Sequence, residues 1–234
     1  MKLASKIQNT LSKAPVLVLG AALALAVLPA RAIEPFTADY KASYMGMEAN
    51  GQMTLASEGE GRWRYSLNVR NALADLSQVT VFEVKGDQWR PLSSNDTNKV
   101  LVKRSQKTAT YDWAAGEARW SGDVKPDRAG PIALKAGDLD ALLINLALVR
   151  DVAAGKPLEY RMVDDGRIKQ LDYRNAGTET ITVDGQSHQA TKVVGNDGRR
   201  ETTAWIVEGM QVPARIVQKD KDGDALELTM QAIR

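Results

Sequence analysis

The sequence predicts a mainly β protein: a strongly curved antiparallel sheet, an open half-barrel or barrel-like, with one main buried helix in the middle of the chain. Short segments of alternating apolar and polar residues recur along most of its length, and turns rich in Gly, Asp and Asn separate them. One central segment alone changes to helical spacing. Because the chain has no cysteine, this fold must be held by an apolar core rather than by disulfides.

The clearest predicted strand is Arg62–Arg70, in which every second residue is apolar. Its apolar face carries Trp63, Tyr65, Leu67 and Val69. A sheet with one buried and one solvated face produces this alternation. Weaker alternating runs predict further strands at Phe36–Tyr44, Gln52–Ala56, Val79–Val84, Val100–Arg104, Thr108–Trp113, Leu158–Val163, Ile168–Tyr173, Thr180–Val183, Gln189–Val194, Thr202–Val207, Ala214–Gln218 and Leu226–Met230.

Residues 138–154 break this rhythm and predict the central helix. Asp138 is placed to cap its N-terminus, Asp140 suits the positive end of the helix dipole, and Gly155 follows the last helical position. The segment is apolar nearly all round, which predicts burial on more than one side, on the concave face of the sheet. With residues 121–135 as a long connection, about seven strands precede the helix and seven follow it.

Residues 1–32 have the pattern of a cleavable secretory signal peptide. Basic residues precede an apolar run at 14–28, and the small residues Ala30 and Ala32 form an A-x-A cleavage site. An uncleaved anchor is the disfavoured alternative, because no stop-transfer pattern follows. The rest of the chain has no apolar run long enough for a transmembrane segment and no cysteine for a lipid anchor. The sequence therefore predicts a soluble periplasmic protein whose residues 33–234 form a single β-rich domain.

The charge of the chain changes sign when this segment is set aside. The whole sequence has a net charge of +2, but residues 1–32 hold four basic residues and no acidic one. The remaining residues therefore carry 27 basic and 29 acidic side chains, a net charge of −2. A slightly acidic domain gives no electrostatic reason to expect a nucleic-acid partner.

Residues that could support catalysis or bind a cofactor are few. His188 is the only histidine, so a catalytic triad or zinc site lacks its partners, and we interpret it as a structural or solvated side chain. Residues 220–224 resemble the start of a calcium loop but have the glycine at the wrong position. Nucleotide-binding and hydrolase motifs are absent. We therefore expect no enzyme activity, metal or cofactor, with a pair of carboxylates in a hydrolase as the less favoured alternative.

The apolar side chains of the predicted sheet and helix have two interpretations. They either fill a core, as such residues usually do, or line a cavity for an apolar ligand if the curved sheet is incompletely filled. The residues of this candidate ligand-binding face are Trp63, Tyr65, Leu67, Val69, Tyr111 and Trp113 on strands, and Leu142, Leu143 and Leu146 on the helix.

A basic run also has two interpretations. Lys99, Lys103, Arg104 and Lys107 lie on and after a predicted strand. They either contact anionic lipid headgroups or form a solvated outer face, and the second is the more common role of such charges.

Three segments together resemble a bacterial exported family, the domain of unknown function 3108. They are Pro35–Tyr40 with Arg62–Tyr65, Asp138–Leu143, and Val212–Ile216 with Lys221–Gly223. The P-x-R-I and D-x-D-G ending is also similar to the last hairpin of the LolA and LolB lipoprotein carriers. That resemblance implies an open half-barrel with helices in its concavity, but a shared fold does not transfer an activity.

These observations favour a non-enzymatic binding or carrier module for an apolar ligand, lipid or lipoprotein, in the cell envelope. A structural or protein-interaction module with a filled core and an envelope protein partner is the alternative. An empty concave face would favour the first, whereas an exposed apolar patch or an uncharged edge strand would favour the second.

Overall fold

The computed structural model describes residues 33–44, 46–223 and 225–234. They form fourteen β-strands and one α-helix, which confirms the predicted fold class. The strands are β1 Phe36–Tyr44, β2 Met47–Gly59, β3 Arg62–Arg70, β4 Ala74–Lys85, β5 Gln88–Val100, β6 Lys103–Asp112, β7 Glu117–Gly122, β8 Ile132–Ala133, β9 Glu159–Asp164, β10 Arg167–Val183, β11 Gln186–Asn196, β12 Arg200–Val207, β13 Arg215–Asp220 and β14 Ala225–Ile233. Helix α1 is Leu143–Ala153, and Pro126–Arg128 forms a 3-10 turn.

All strands belong to one antiparallel sheet in which chain neighbours are also spatial neighbours. The order is β8-β7-β6-β5-β4-β3-β2-β1-β14-β13-β12-β11-β10-β9. Pairing of β1 with β14, such as Tyr44 opposite Leu226, joins the two halves of the chain into one sheet. The sheet curls until its two edges approach each other, and so it nearly closes into a barrel.

The two edges of the sheet meet along a seam, which we define as the contacts of β9 and the β9–β10 turn with β6 and residues 128–139. Leu139 makes a parallel bridge to Met162, in which the Val163 amide donates to the Leu139 carbonyl at 2.8 Å. The Tyr111 hydroxyl donates to the Val163 carbonyl at 3.0 Å. The described contacts of the seam are therefore one backbone bridge and several side-chain contacts, not a continuous ladder of backbone hydrogen bonds.

Charged groups complete the seam at the β9–β10 turn. The carboxylate of Asp165 accepts from Lys107 of β6 at 2.7 Å and from Arg128 of the 3-10 turn at 2.9 Å. All three side chains are at least one-fifth exposed. Solvent-exposed ion pairs stabilise weakly, so this triad orients the turn more than it holds the barrel shut.

Helix α1 packs inside the curved sheet, as predicted, but begins at Leu143 rather than near 138. The predicted cap Asp138 is wrong: Leu142 occupies the N-cap position, and the Leu143 amide donates to the Asp140 carboxylate at 2.8 Å. Asp138 instead accepts from the Lys135 amide and from Arg161. Leu139 takes part in the bridge to Met162 and so does not belong to the helix, which a turn at residues 141–142 precedes. Within the part of the chain that the structure describes, no helix is long and apolar enough to cross a bilayer.

Several strand boundaries differ from the prediction. Eight strands precede the helix and six follow it. The predicted strand Val100–Arg104 straddles the turn between β5 and β6, because its apolar residues are turn residues. The predicted segments Ile168–Tyr173 and Thr180–Val183 are parts of one long strand, β10.

Candidate functional site

The interior of the barrel-like sheet is the place where the candidate ligand-binding residues meet. A main core joins residues of β1–β4 and β9–β14 to helix α1, and a second, smaller core joins β6, β7 and β9. The helix contributes six buried apolar residues to the main core, Leu143, Ile144, Leu146, Ala147, Leu148 and Val149. The helix therefore occupies the space that an apolar ligand would take.

Seven of the nine predicted residues belong to the main core or pack against it. Tyr65, Val69, Leu142, Leu143 and Leu146 are buried, and Trp63 and Leu67 are partly buried against them. The Tyr65 ring makes an edge contact with Phe36 at 6.2 Å between centroids, and its hydroxyl donates to the Met53 sulfur at 3.1 Å. Burial raises the pKa of Tyr65 well above its usual range. These side chains line the concave face together, as the alternation predicts.

The other two predicted residues lie in or against the second core. Tyr111 is buried in edge contact with Trp120, whereas Trp113 is partly buried. The Trp113 indole donates to the Pro91 carbonyl at 2.7 Å. The structure therefore places these two residues apart from the other seven, in a core that the sequence does not distinguish from the main one.

Two cavities among the described residues are small or polar. One of about 310 Å³ is lined mostly by polar and charged residues of β1–β3, including Lys41 and Glu48. Another, of about 160 Å³, lies between the start of the helix and strands β9–β13 and is lined by Ile144, Asp164 and Tyr173 among others. Small-molecule pockets usually measure about 300–1,000 Å³ and are mostly apolar. An acyl chain would therefore need space that the helix fills.

Three buried or partly buried carboxyls near the start of the helix are absent from the sequence prediction. Burial raises the pKa of Asp140 to about 6, against the opposing effect of its bonds from the Thr80 hydroxyl and the Leu143 amide. Burial, then the charges of Asp140 and Asp96, raises the pKa of Asp164 to about 7. Burial also raises the pKa of Asp96. Neither the strand nor the helix periodicity of the sequence indicates that these three residues lie near one another.

These carboxyls make stability depend on pH. Because their folded-state pKa lies above the usual 3.8, the folded protein binds their protons more tightly than the unfolded chain. The free energy of unfolding should fall as the pH rises from about 4 to about 7 and then level off. We expect Asp164→Asn to raise it by roughly 1–2 kcal/mol at pH 8 and to leave it nearly unchanged at pH 4.5.

Urea denaturation at pH 4.5, 6 and 8 measures this effect. Asp87→Asn removes the same charge from an exposed turn and should reproduce the wild-type profile. A profile for Asp164→Asn that runs parallel to that of the wild type would contradict the assignment.

The far end of the helix is fixed by a second polar cluster. Arg150 and Asp151 form a bidentate pair, and the Tyr160 hydroxyl donates to Asp151 at 3.1 Å. The Arg150 guanidinium also lies 4.5 Å from the centroid of the Trp89 ring. No group of three or more acidic or histidine side chains among the described residues could hold a metal ion.

The fold and its interior define a class of barrel-like β proteins that hold a helix within a curved antiparallel sheet. The sequence matches the family model "Protein of unknown function (DUF3108)" over residues 39–231, and the chain therefore belongs to that family. This confirms the resemblance found in the sequence. Comparison with curated proteins gives no significant match.

Comparison with solved structures gives matches at low sequence identity, of which the first shares this fold. A β-barrel-like protein of DUF1849 from Brucella abortus has a TM-score of 0.55 and 12% identity over 86% of this chain and 97% of its own. The MucA/MucB complex of Pseudomonas aeruginosa gives 0.40 and 10% identity over 86% of this chain and 51% of that one. A putative outer membrane lipoprotein-sorting protein domain from Vibrio parahaemolyticus gives 0.24 and 9% identity over 86% of this chain and 84% of that one.

Proposed function

We propose that this protein is a non-enzymatic periplasmic binding or carrier module for an apolar ligand, such as the acyl chain of a lipid or lipoprotein. Its binding surface would be the sheet face that helix α1 covers. The concave face is filled rather than empty, so an apolar ligand can enter only where helix α1 moves aside. The observation that carries the proposal is that a single helix of eleven residues, apolar on nearly every side, fills this face. An acyl chain in its place exchanges one set of apolar contacts for another, so little burial is lost.

The seam offers the route into the interior. Elsewhere the strands are joined by antiparallel ladders, whereas the hydrogen bonds described at the seam are one bridge and a few side-chain bonds, beside the packing of Val163 in the second core. Breaking them requires the loss of far fewer hydrogen bonds than parting any two long strands. The polar clusters at the two ends of the helix, Asp140 with Thr80 and Asp151 with Tyr160, would return the helix to the same position after release.

The predicted periplasmic location is compatible with a carrier function. The signal peptide at 1–32, with Ala30 and Ala32 at its cleavage site, lies outside the described residues, and export remains a prediction. In the periplasm, an apolar cargo must be shielded from water between membranes. The partner that delivers or receives the cargo would be a lipoprotein or another envelope protein.

A disulfide across the seam tests this function. Leu139 and Met162 are bridge partners, and bridged strands lie about 4.8 Å apart, within disulfide reach. Because the chain has no cysteine, Leu139→Cys with Met162→Cys introduces the only thiols. We expect the reduced variant to bind dansyl-labelled undecanoic acid and the oxidised variant to bind it at least roughly tenfold more weakly, measured by dansyl fluorescence.

The control is a disulfide within a ladder rather than across the seam. Thr180 and Gln189 are exposed cross-strand partners in β10 and β11. Oxidation of the variant Thr180→Cys with Gln189→Cys should leave probe binding unchanged. Equal binding by both forms of the seam variant would contradict the route, and no binding by wild type or by either form would contradict the carrier function.

The second candidate is the structural or protein-interaction module with a filled core. The specific observation that favours it is the complete burial of Tyr65, Leu143 and Leu148 in the main core. The same fluorescence titration separates the two functions, since a permanently filled interior takes up no fatty-acid probe in any form.

A further inference from the structure

The turn between β5 and β6 presents apolar side chains directly to solvent. Val100 is 43% exposed, Leu101 63% and Val102 97%. Leu73, 54% exposed, lies beside them, because the Leu101 amide donates to its carbonyl at 2.8 Å. Isolated exposed apolar residues are ordinary on protein surfaces, but a contiguous cluster at a protruding turn marks an interaction site.

All the exposed large apolar side chains of the described residues lie at one end of the barrel. In this sheet the odd-numbered strands end, and the even-numbered strands begin, at the same end. We call this set the apolar rim: Tyr44, Met47, Leu73, Val100, Leu101, Val102 and Ile168. Neighbouring strands are about 4.8 Å apart, so the part of the rim from β1 to β6 spans roughly 20–25 Å.

The conformation of Leu101 adds an independent argument. Its φ is 53°, in the left-handed region that disfavours residues with a Cβ atom. Two other two-residue turns of this chain, Asp165-Gly166 and Asp184-Gly185, place aspartate and glycine at such angles, and Glu60-Gly61 places a polar glutamate there. The leucine at position 101 is therefore unfavourable in two ways: its backbone is left-handed, and its apolar side chain is exposed to solvent. A residue that combines a left-handed backbone with an exposed apolar side chain is a candidate for function.

Three cations surround this turn. Lys99, Lys103 and Arg104 are exposed, and none of them forms an ion pair with any described residue. Lys99 and Arg104 are directly opposite each other, an arrangement of like charges that is unfavourable in a sheet. The nearest acidic partner in register, Asp75 opposite Lys99, is paired with Arg70 at 2.9 Å.

We propose that the β5–β6 turn docks on the surface of an anionic phospholipid bilayer. Leu101 and Val102 enter the boundary between headgroups and acyl chains, while Lys99, Lys103 and Arg104 contact the phosphates. A protein partner fits less well, because a stable protein interface buries about 800 Å² per side, whereas the contiguous cluster at this turn is Leu73 with Val100, Leu101 and Val102 and offers much less. This docking does not depend on whether the interior takes a ligand.

Vesicle flotation tests the proposal. The protein is purified in the form in which the expression host produces it. It is mixed at 0.15 M salt with anionic vesicles of phosphatidylethanolamine and phosphatidylglycerol, or with neutral vesicles of phosphatidylcholine alone. We expect binding to the anionic vesicles only. Leu101→Asn with Val102→Ser should lower the partition at least roughly tenfold. Its melting temperature should stay equal or rise, because Asn tolerates the left-handed conformation.

Removing the cations beside the turn provides a second test in the same flotation experiment. Lys103→Gln with Arg104→Gln should lower binding to anionic vesicles about 25-fold, roughly fivefold per cation. The matched control, Lys85→Gln with Lys156→Gln, removes two exposed cations from the opposite end and should bind as the wild type does. Equal losses in both double variants would overturn the proposal, since net charge rather than the turn would then govern binding.

A fluorescent label locates the contact without altering the fold. Because the chain has no cysteine and Val102 is 97% exposed, Val102→Cys accepts an environment-sensitive dye. The dye should shift to shorter wavelength with anionic vesicles, whereas the same dye at Asp87→Cys, at the opposite end, should not. An unchanged spectrum at residue 102, or affinity capture of a protein through this turn with no vesicle binding, would overturn the proposal.

Discussion

Leu143→Ala is expected to lower the free energy of unfolding by about 3–4 kcal/mol. Leu143 is fully buried at the start of helix α1 and belongs to the main core. Truncating a buried leucine removes its transfer free energy and leaves a cavity that the surrounding sheet fills only in part. Alanine favours a helix slightly more than leucine, but that gain is only a few tenths of a kcal/mol.

Urea denaturation checks this value, with Leu73→Ala as the matched control. Leu73 is 54% exposed, so the same substitution there should change stability by less than about 0.5 kcal/mol. Under the proposed function, Leu143→Ala also loosens the helix and should strengthen binding of the fatty-acid probe. Loss of stability without any gain in binding would favour the filled-core module.

The fold class could be predicted because alternation is a local property of the sequence. Strand β3 shows it most clearly: its residues Tyr65 and Val69 point to the core, as their spacing indicates. Strand β5 shows where prediction from alternation fails. Residues 93–98 on this strand are all polar, so no apolar alternation marks it, although it pairs with both β4 and β6.

The position of the helix follows from its composition, but its beginning does not. Asp138 and Asp140 are equally plausible caps by residue type. The choice between them depends on the Leu139–Met162 bridge, which forms between residues 23 positions apart. Closure of the sheet is a long-range event of the same kind, and no local pattern specifies which edges meet.

The residues of the candidate site also differ in whether a local sequence pattern predicts their position. That Tyr65 and Leu143 face the interior could be predicted from periodicity, whereas their separation from Tyr111 could not, because that separation arises from how the sheet curls. The burial of Asp140 runs against its residue type, since carboxylates are almost never fully buried unless they are paired. Its partner Thr80 lies 60 residues away, beyond any sequence window.

Gly166→Ala is expected to destabilise the seam far more than the same change in an identical turn. Both Asp165-Gly166 and Asp184-Gly185 have two residues at positive φ, so alanine at either glycine costs about 1 kcal/mol in backbone strain. A Cβ atom at Gly166 would also lie 2.0 Å from the Arg128 carbonyl oxygen, whereas at Gly185 it meets nothing within 4 Å. We therefore expect losses of roughly 2–4 kcal/mol for Gly166→Ala and about 1 kcal/mol for Gly185→Ala.

The loss should be local, because the overlap pushes the β9–β10 turn away from the 3-10 turn. Asp165 then loses its bonds from Lys107 and Arg128, and the bridge between Leu139 and Met162 opens more often. Amide exchange at Val163, whose N–H donates across this bridge, should quicken in Gly166→Ala and stay at the wild-type rate in Gly185→Ala. If the seam is the route for an apolar ligand, Gly166→Ala should also speed uptake of the fatty-acid probe. Faster exchange with unchanged uptake would show that the seam opens without admitting a ligand.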